Sequence, residues 1–359
     1  MLVKYLPPRI KRVTMESNKR NLSLDFFRGV MAIIVAIGHL FYWNENYNFP
    51  HSFILAVDFF LVLSGFVLTK SVLSSDNFCS ITFAKKRYFR LAPVYLFCAV
   101  LTGASAIFIK GTPIPTLSES IKIIGIAQIW PFDSTEGFAY IGSLAISWTI
   151  SAELWLGIIM FPIVYFLHKS ARPLFLPFIL IVAIFSFLAI NKTSPNFMDI
   201  QYNNYNEFIL FGMIRAALDY SLGILAFALL GKVKLLNMER ANSLLQLSTI
   251  AACLFLYSNI DYNRENEIFA PFIFMVLVCS LGTEKGLMYK LLSGKVSEFL
   301  GDISYPSYMI HILLLYVMTR TLSMKLDWLT ISIFVITLLI ASKAINIMIE
   351  KPFMKILKG

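Results

Sequence analysis

The chain has 359 residues, of which 58% are hydrophobic and only 14% charged, and its mean hydropathy is +0.72. Soluble domains run at about 45–50% apolar and about 25% charged, so a soluble globular domain and a disordered chain are both excluded. The net charge of +10, from 31 Lys and Arg against 21 Asp and Glu, reads as the Lys and Arg excess of cytoplasmic loops; no continuous basic face or nucleic-acid motif assigns it to nucleic acid.

A basic N-terminal segment, residues 1–22 with Lys4, Arg9, Lys11, Arg12, Lys19 and Arg20, precedes the first apolar run. That run holds Asp25 and Arg28, ends in Phe41-Tyr42-Trp43 and lacks a small-residue cleavage site. It reads as a retained first transmembrane helix, not a signal peptide. Apolar runs near 24–43, 53–72, 88–109, 144–167, 173–190, 207–230, 242–258, 268–282, 303–322 and 329–349 predict about ten spans of a hydrocarbon core about 30 Å thick. Residues 117–130 form a shorter apolar stretch, expected to be re-entrant or interfacial. Residues 284–300, with Leu287, Leu291, Leu292 and Val296, suggest an amphipathic helix on the membrane surface. The expected fold is therefore an all-α polytopic bundle, with one membrane domain over 23–350 and a cytoplasmic tail, 351–359.

Alternating sides from a cytoplasmic N-terminus puts 21 basic residues in inner segments and 6 in outer ones. Treating 117–130 as a full span weakens that asymmetry, so both termini are expected inside. The loops 191–206 and 259–267 then face out and 231–240 faces in. Cys79, Cys98, Cys253 and Cys279 form no CxxC and suggest neither a disulfide framework nor a metal site.

Ionisable groups within spans are costly and mark candidate sites. Arg28 and His39 are eleven residues apart, three turns plus about 20°, so they share a helix face about 16 Å apart along the axis. Arg28 taken alone also fits a snorkelling topology charge, and His39 a helix-end histidine bonded to backbone. Lys85-Lys86-Arg87-Tyr88-Phe89-Arg90 is a basic cluster at the inner mouth of the third span, suited to phosphate or simply to topology. Glu153 is expected in the outer half of its helix, as a site residue or as the partner of an arginine. Arg215 and Asp219, four residues apart, read as a structural pair. Asp58 and His311 are further intramembrane polar groups.

Five motifs occur in order: Leu24-Asp25-Phe26-Phe27-Arg28-Gly29 with His39; Val57-Asp58-Phe59-Phe60 through Ser64-Gly65-Phe66; Lys86-Arg87-Tyr88-Phe89-Arg90-Leu91-Ala92-Pro93; Ser147-Trp148-Thr149-Ile150-Ser151-Ala152-Glu153; and Ile303-Ser304-Tyr305-Pro306 through His311. In this ordered set the chain resembles the acyltransferase-3 family of integral membrane acyltransferases. It departs in having Lys86 at the first position of the usual Arg-Arg-x-x-Arg pattern, and only residues 351–359 follow the last span, so no fused esterase-like domain is expected.

The resemblance implies O-acylation, most often O-acetylation, of a surface or lipid-linked glycan in the inner (plasma) membrane. Acetyl-CoA or another cytoplasmic acyl-CoA would be the donor substrate, with no permanently bound cofactor and no metal. Lys86, Arg87 and Arg90, with Arg28, would hold donor phosphates. His39 would act as general base or first carry the acyl group. Glu153 would orient a polar partner or hold the acceptor. A transporter or flippase for lipid-linked sugars is the alternative, with buried charges forming a pathway; no internal repeat supports one built from inverted repeats.

Overall fold

The structure is a computed structural model that describes residues 20–45, 50–130, 142–193, 204–206, 209–230, 232–258 and 265–357. Most of the N-terminal segment and of the loops 191–206 and 259–267, and residues 358–359, lie outside the described residues. The chain is a helix bundle. Its long helices are α1 (Leu22–Trp43), α2 (Ala56–Leu73), α3 (Ser80–Lys110), a short α4 (Leu117–Ile124), α5 (Trp148–Ser170), α6 (Arg172–Thr193), α7 (Phe211–Leu229), α8 (Glu239–Ser258), α9 (Ala270–Gly282), α10 (Lys295–Tyr316) and α11 (Trp328–Ile345). A two-rung antiparallel hairpin, β1 (Asn204–Asn206) with β2 (Ile209–Leu210), leads into α7.

Among the described residues each of the ten expected apolar runs contains a helix, and eight helices are long and apolar enough to cross a membrane, so the chain is a multi-pass membrane protein. The other two fall short for separate reasons. Helix α9 has only 13 residues, led in by a 3₁₀ turn. Helix α10 has 22 residues, but Ser304, Ser307 and His311 interrupt its apolar character; Ser304 and His311 belong to the site described below, and Ser307 donates to Ser342 of α11 at 2.8 Å. Helix α11 continues through a π segment, Asn346–Glu350, into a last helix, Lys351–Ile356, as one 29-residue rod. The peripheral helices α6, α8 and α11 present apolar side chains such as Phe185, Leu254 and Ile340 outward, as a lipid-facing surface requires.

One end of the bundle, the basic end, gathers Arg20, Lys343 and Lys351 around Asp302, at 2.7, 3.4 and 2.9 Å. Helix α1 starts here, where the Asn21 side chain accepts from the Leu24 N–H and so satisfies an otherwise orphaned donor. Pro306 inside α10 cannot donate to the carbonyl of Asp302 four residues earlier. The Asn346 amide donates to that oxygen instead, at 3.0 Å, tying α10 to the π segment.

Helices α2 and α7 cross through small residues. A Cβ on Gly223 would lie 2.1 Å from the Val62 carbonyl oxygen, and one on Gly65 2.5 Å from that of Tyr220. Backbones this close exploit glycine as membrane helix pairs do. The crossing brings Asp58 of α2 against Arg215 of α7, with two bonds of 2.7 Å, and the Trp148 ring lies 5.3 Å from the guanidinium. The expected Arg215–Asp219 pair is therefore corrected: the interhelical carboxylate takes both guanidinium donors in a fork, a geometry that an i,i+4 neighbour on the same helix does not supply.

The stretch 117–130, expected to be re-entrant or interfacial, turns back into the bundle at its C-terminal end. Tyr88 donates to the Ile124 carbonyl at 2.7 Å and Trp155 to that of Ile126 at 3.0 Å; the Ile129 N–H donates to Ser151 at 3.1 Å. From Lys110 back to Tyr88 is about 33 Å along α3. Six irregular residues at up to about 3.3 Å each, followed by the eight of α4, cover nearly the same distance. Leu117, Ile121 and Ile124 stay exposed on one face of α4, and the irregular end is held inside the bundle. Residues 284–300 do not form the single surface helix expected. Gly286, at φ +93°, and residues 292–294 divide them into a one-turn helix, Leu287–Leu291, and the start of α10. Gln246 and Asn242 of α8 hold the Lys285 carbonyl at 2.8 and 3.0 Å.

Candidate active site

Helices α1 and α10 run parallel and pack along their length, which tests the Arg28–His39 spacing directly. Arg28 donates to Ser304 Oγ at 2.8 Å and to the Gly301 carbonyl at 2.7 Å, and pairs with Asp25 at 3.0 Å. His39 meets His311, with Nδ1 and Nε2 3.2 Å apart. Both residues thus face α10, one near the basic end and one near the far end.

At the basic end a cleft of about 960 Å³, counted to its open mouth, lies between α1, α2, α3, α5, α10 and the π segment. Arg28, Arg87, Arg90, Glu153 and Glu350 supply its charges; Ser64, Thr149, Tyr305 and Tyr308 supply hydroxyls. Arg87 is buried and pairs with Glu153 at 2.5 Å. Ser64 donates to the same carboxylate oxygen at 3.0 Å, and Tyr220 to the Glu153 carbonyl at 2.9 Å. Arg90 is exposed and lines the cleft. Lys86 is exposed and does not line it. Glu153 does lie in the first half of its helix, the half expected to be outer, but deeper in the bundle than that expectation implies. Helix α5 begins deep in the bundle, below the 3₁₀ segment Gly142–Ser147, so a residue near its N-terminus lies level with Arg87.

The histidine pair has a definite polarity. His311 Nδ1 lies 2.8 Å from the Tyr308 carbonyl and 3.3 Å from that of Ser307; both oxygens only accept, so these contacts assign its proton to Nδ1 and leave Nε2 as an acceptor. That acceptor faces His39 Nδ1, which also lies 3.0 Å from the Val35 carbonyl. His39 therefore carries its proton on Nδ1, shared between these two acceptors, and keeps Nε2 unprotonated as a base. His311 is fully buried and His39 half-buried. Neither lines the cleft; Tyr308, whose ring centre is 5.8 Å from that of His311, separates them from its deep end.

A second pocket, of about 350 Å³, lies beyond the histidines toward the far end, between Trp43, Thr102, Ser105, Ser143, Ile312 and Tyr316, among others. Sequence reasoning gave no site role to its residues or to Glu350; Ser304, Tyr305 and Tyr308 lie in the fifth motif and Trp43 in the aromatic end of the first apolar run, without a role of their own. Glu350 stands beside a lysine-rich end that reads as topology. Thr102 and Ser143 carry no charge to mark them within apolar runs.

No curated protein and no solved structure matches the chain. A family model described as an acyltransferase domain matches residues 21–345, a span that contains Arg28, His39, Arg87, Arg90, Glu153 and His311 together. The chain belongs to the acyltransferase-3 family, and the cleft and histidine pair are set in the helix bundle of a membrane acyltransferase.

Proposed function

We propose that the protein is an O-acyltransferase of the plasma (inner) membrane that moves an acyl group, acetyl in the simplest case, from cytoplasmic acyl-CoA to a hydroxyl of a cell-surface or lipid-linked glycan. The observation that carries this reading is the coaxial arrangement of an arginine-lined cleft at the basic end and a polarised histidine pair about 16 Å further along α1. Basic ends of membrane proteins face the cytoplasm, where acyl-CoA is found.

Arg90 and Arg28 present forked donors to the cleft, and forked cations suit the donor's phosphates. Arg87 is neutralised by Glu153, so its main part is to hold α3 against α5. The thioester arm would extend past Tyr308 to His39. There His39 Nε2 takes the proton of the acceptor hydroxyl while the hydroxyl oxygen attacks the thioester carbonyl. The C–S bond breaks as the C–O bond of the ester is completed, and the thiolate of CoA leaves with the proton held by the imidazolium. His311 keeps His39 in the tautomer that can do this, as the third member of a nucleophile–base–orienter arrangement does.

The test is release of CoA thiol by the purified protein in lipid nanodiscs, with acetyl-CoA and a glycan acceptor, and detection of the acylated product. His39→Ala should abolish transfer, a loss of at least about a hundred-fold, without loss of insertion. Release of CoA that neither needs an acceptor nor depends on His39 would refute the reading. Movement of a lipid-linked sugar across the bilayer without CoA release would favour a flippase.

A further inference from the structure

Helix α7 carries an ionisable side chain that neither the ion pairs of the bundle nor the proposed chemistry uses. Asp219 is fully buried, and no donor reaches either of its carboxylate oxygens. Neither oxygen has appreciable surface open to solvent, which leaves no room beside them for a water molecule or a metal ion. The cation one turn earlier on the same helix, Arg215, turns away from it. Arg215 gives its forked donors to Asp58 at 2.7 Å and a further bond to the Ile54 carbonyl at 3.3 Å.

An ionised carboxylate only accepts. Held without a donor inside a membrane-spanning helix, it bears the full penalty of a buried, unpaired charge. Arg215 and Asp58 already cancel each other, so an ionised Asp219 also leaves a net negative charge where α2 crosses α7. One proton removes both penalties: it neutralises Asp219 and makes one of its oxygens a donor. The acceptor is at hand. Asp58 interacts with Asp219 directly, and its carboxylate has lone pairs beyond the two that Arg215 occupies. Two carboxyl groups in one site cannot both ionise readily and share a proton instead. Helix α7 packs against α2, α5, α6 and α9, and the ionisable groups that bear on Asp219 are Asp58 and Arg215. Glu153 of α5 is taken by Arg87, and His168 and Lys169 lie in its last turn. Arg172 and Lys192 stand at the two ends of α6. Helix α9 brings Cys279, whose thiol donates to the Ala226 carbonyl at 3.3 Å.

We infer that Asp219 is a proton-binding site inside the membrane: it holds one proton as a neutral acid, donates it in a hydrogen bond to the Asp58 carboxylate, and closes Asp58, Arg215 and Asp219 into an uncharged unit at the crossing of α2 and α7. The unit also reaches the histidines. Arg215 holds the Ile54 carbonyl, and the adjacent Phe53 ring lies 5.0 Å from that of His39. A Cβ on Gly38 would lie 2.1 Å from Phe53 Cγ, so this ring is seated where the glycine makes room. Loss of the proton sets a second carboxylate beside the fork, draws the guanidinium from Asp58 and Ile54 toward Asp219, and loosens the turn that backs His39.

The test is infrared spectroscopy of the full-length protein in nanodiscs at neutral pH, wild type against Asp219→Asn, in H₂O and in D₂O. A protonated carboxyl group has a C=O stretch above the carboxylate bands that shifts on deuteration. The wild type should show such a band and Asp219→Asn should lack it; other protonated acids contribute alike to both and cancel in the difference. Identical spectra in this region overturn the inference. Asn is neutral and can donate to Asp58 as the acid does, so Asp219→Asn should insert and resist SDS as the wild type does, and its failure to fold would also overturn the inference. Stability against pH gives a second readout. Where the unfolded chain has released this proton and the native chain keeps it, the native state binds one proton more, so stability falls as pH rises. The folding equilibrium of the wild type should then drop about tenfold per pH unit relative to that of Asp219→Asn, and parallel pH profiles would refute the site. None of these readouts needs acyl transfer, so failure of the proposed function leaves this inference standing.

Discussion

Replacing Glu153 by alanine separates the two roles that its ion pair with Arg87 can have. The pair closes the wall of the cleft at 2.5 Å, with side-chain exposures of 8% for Arg87 and 18% for Glu153. Two unit charges about 4 Å apart in a medium of effective dielectric near 20 attract by about 4 kcal/mol. The Ser64 hydroxyl loses a charged acceptor as well, worth about 1.5–3 kcal/mol. These terms do not simply add, because water from the open cleft solvates the abandoned guanidinium. Removing one partner of a buried pair costs about 3–5 kcal/mol, and the partial exposure here places Glu153→Ala near 3 kcal/mol. Glu153→Gln keeps an oxygen for both Ser64 and Arg87 and should lose about half of that. Replacing both partners, Arg87→Met with Glu153→Leu, removes the unpaired charge and should recover most of the stability. The measurement is reversible unfolding in mixed micelles of increasing SDS fraction. A loss below about 1 kcal/mol for Glu153→Ala, or a double variant less stable than either single one, would refute the account of Glu153 as the internal counter-charge of Arg87.

Asp58→Ala takes the forked carboxylate from Arg215, a fully buried side chain that also donates to the Ile54 carbonyl, and should cost about 3 kcal/mol in the same assay. Gly223→Ala forces α2 and α7 apart at the Val62 carbonyl and should cost at least about 1–3 kcal/mol, with loss of the Asp58–Arg215 fork detectable as additional lability. His311→Leu should lower kcat by about a hundred-fold and change the pH dependence of the rate, while His311→Gln, which keeps an acceptor for His39 Nδ1–H, recovers part of it; equal losses in the two variants would leave His311 a packing role only. Arg90→Lys should raise the KM for acyl-CoA, and more steeply with added salt, because Lys lacks the fork. Cys79 is the one exposed cysteine of the four; in intact cells it should resist an impermeant thiol reagent, whereas an exposed Ser323→Cys in a cysteine-free background should react, and the reverse pattern would invert the assigned orientation.

The sequence carried most of the bundle and part of the site, for reasons that differ residue by residue. Arg28 and His39 lie on one helix, so their common face follows from the α-helical period alone, and α10 supplies partners to both. The partner of Arg215 was not legible, because i,i+4 spacing offers Asp219, and only the glycine-mediated crossing of α2 and α7 reveals that Asp58 is closer. The depth of Glu153 was hidden in the same way: α5 starts within the bundle, and a hydropathy run records the length of a helix but not its height. Helix α10 reads as a span in its apolar second half; its first half carries Asp302, the counter-charge of Arg20, Lys343 and Lys351, and Ser304, which lines the cleft. The far pocket was invisible because its polar groups are uncharged and come from four segments.

The re-entrant segment has a consequence for how the chain is made. The carbonyls of Ile124 and Ile126 and the N–H of Ile129 are satisfied by Tyr88 of α3 and by Trp155 and Ser151 of α5, so the segment has no complete set of partners until α5 has emerged from the ribosome. Backbone groups without partners are excluded from hydrocarbon. A nascent chain ending before α5 must therefore hold residues 124–130 at the water boundary, and their inward movement waits for the synthesis of the next helix. The Arg87–Glu153 wall of the cleft and this loop are accordingly set together, since the helix that supplies Glu153 also supplies hydrogen bonds that draw the loop into place.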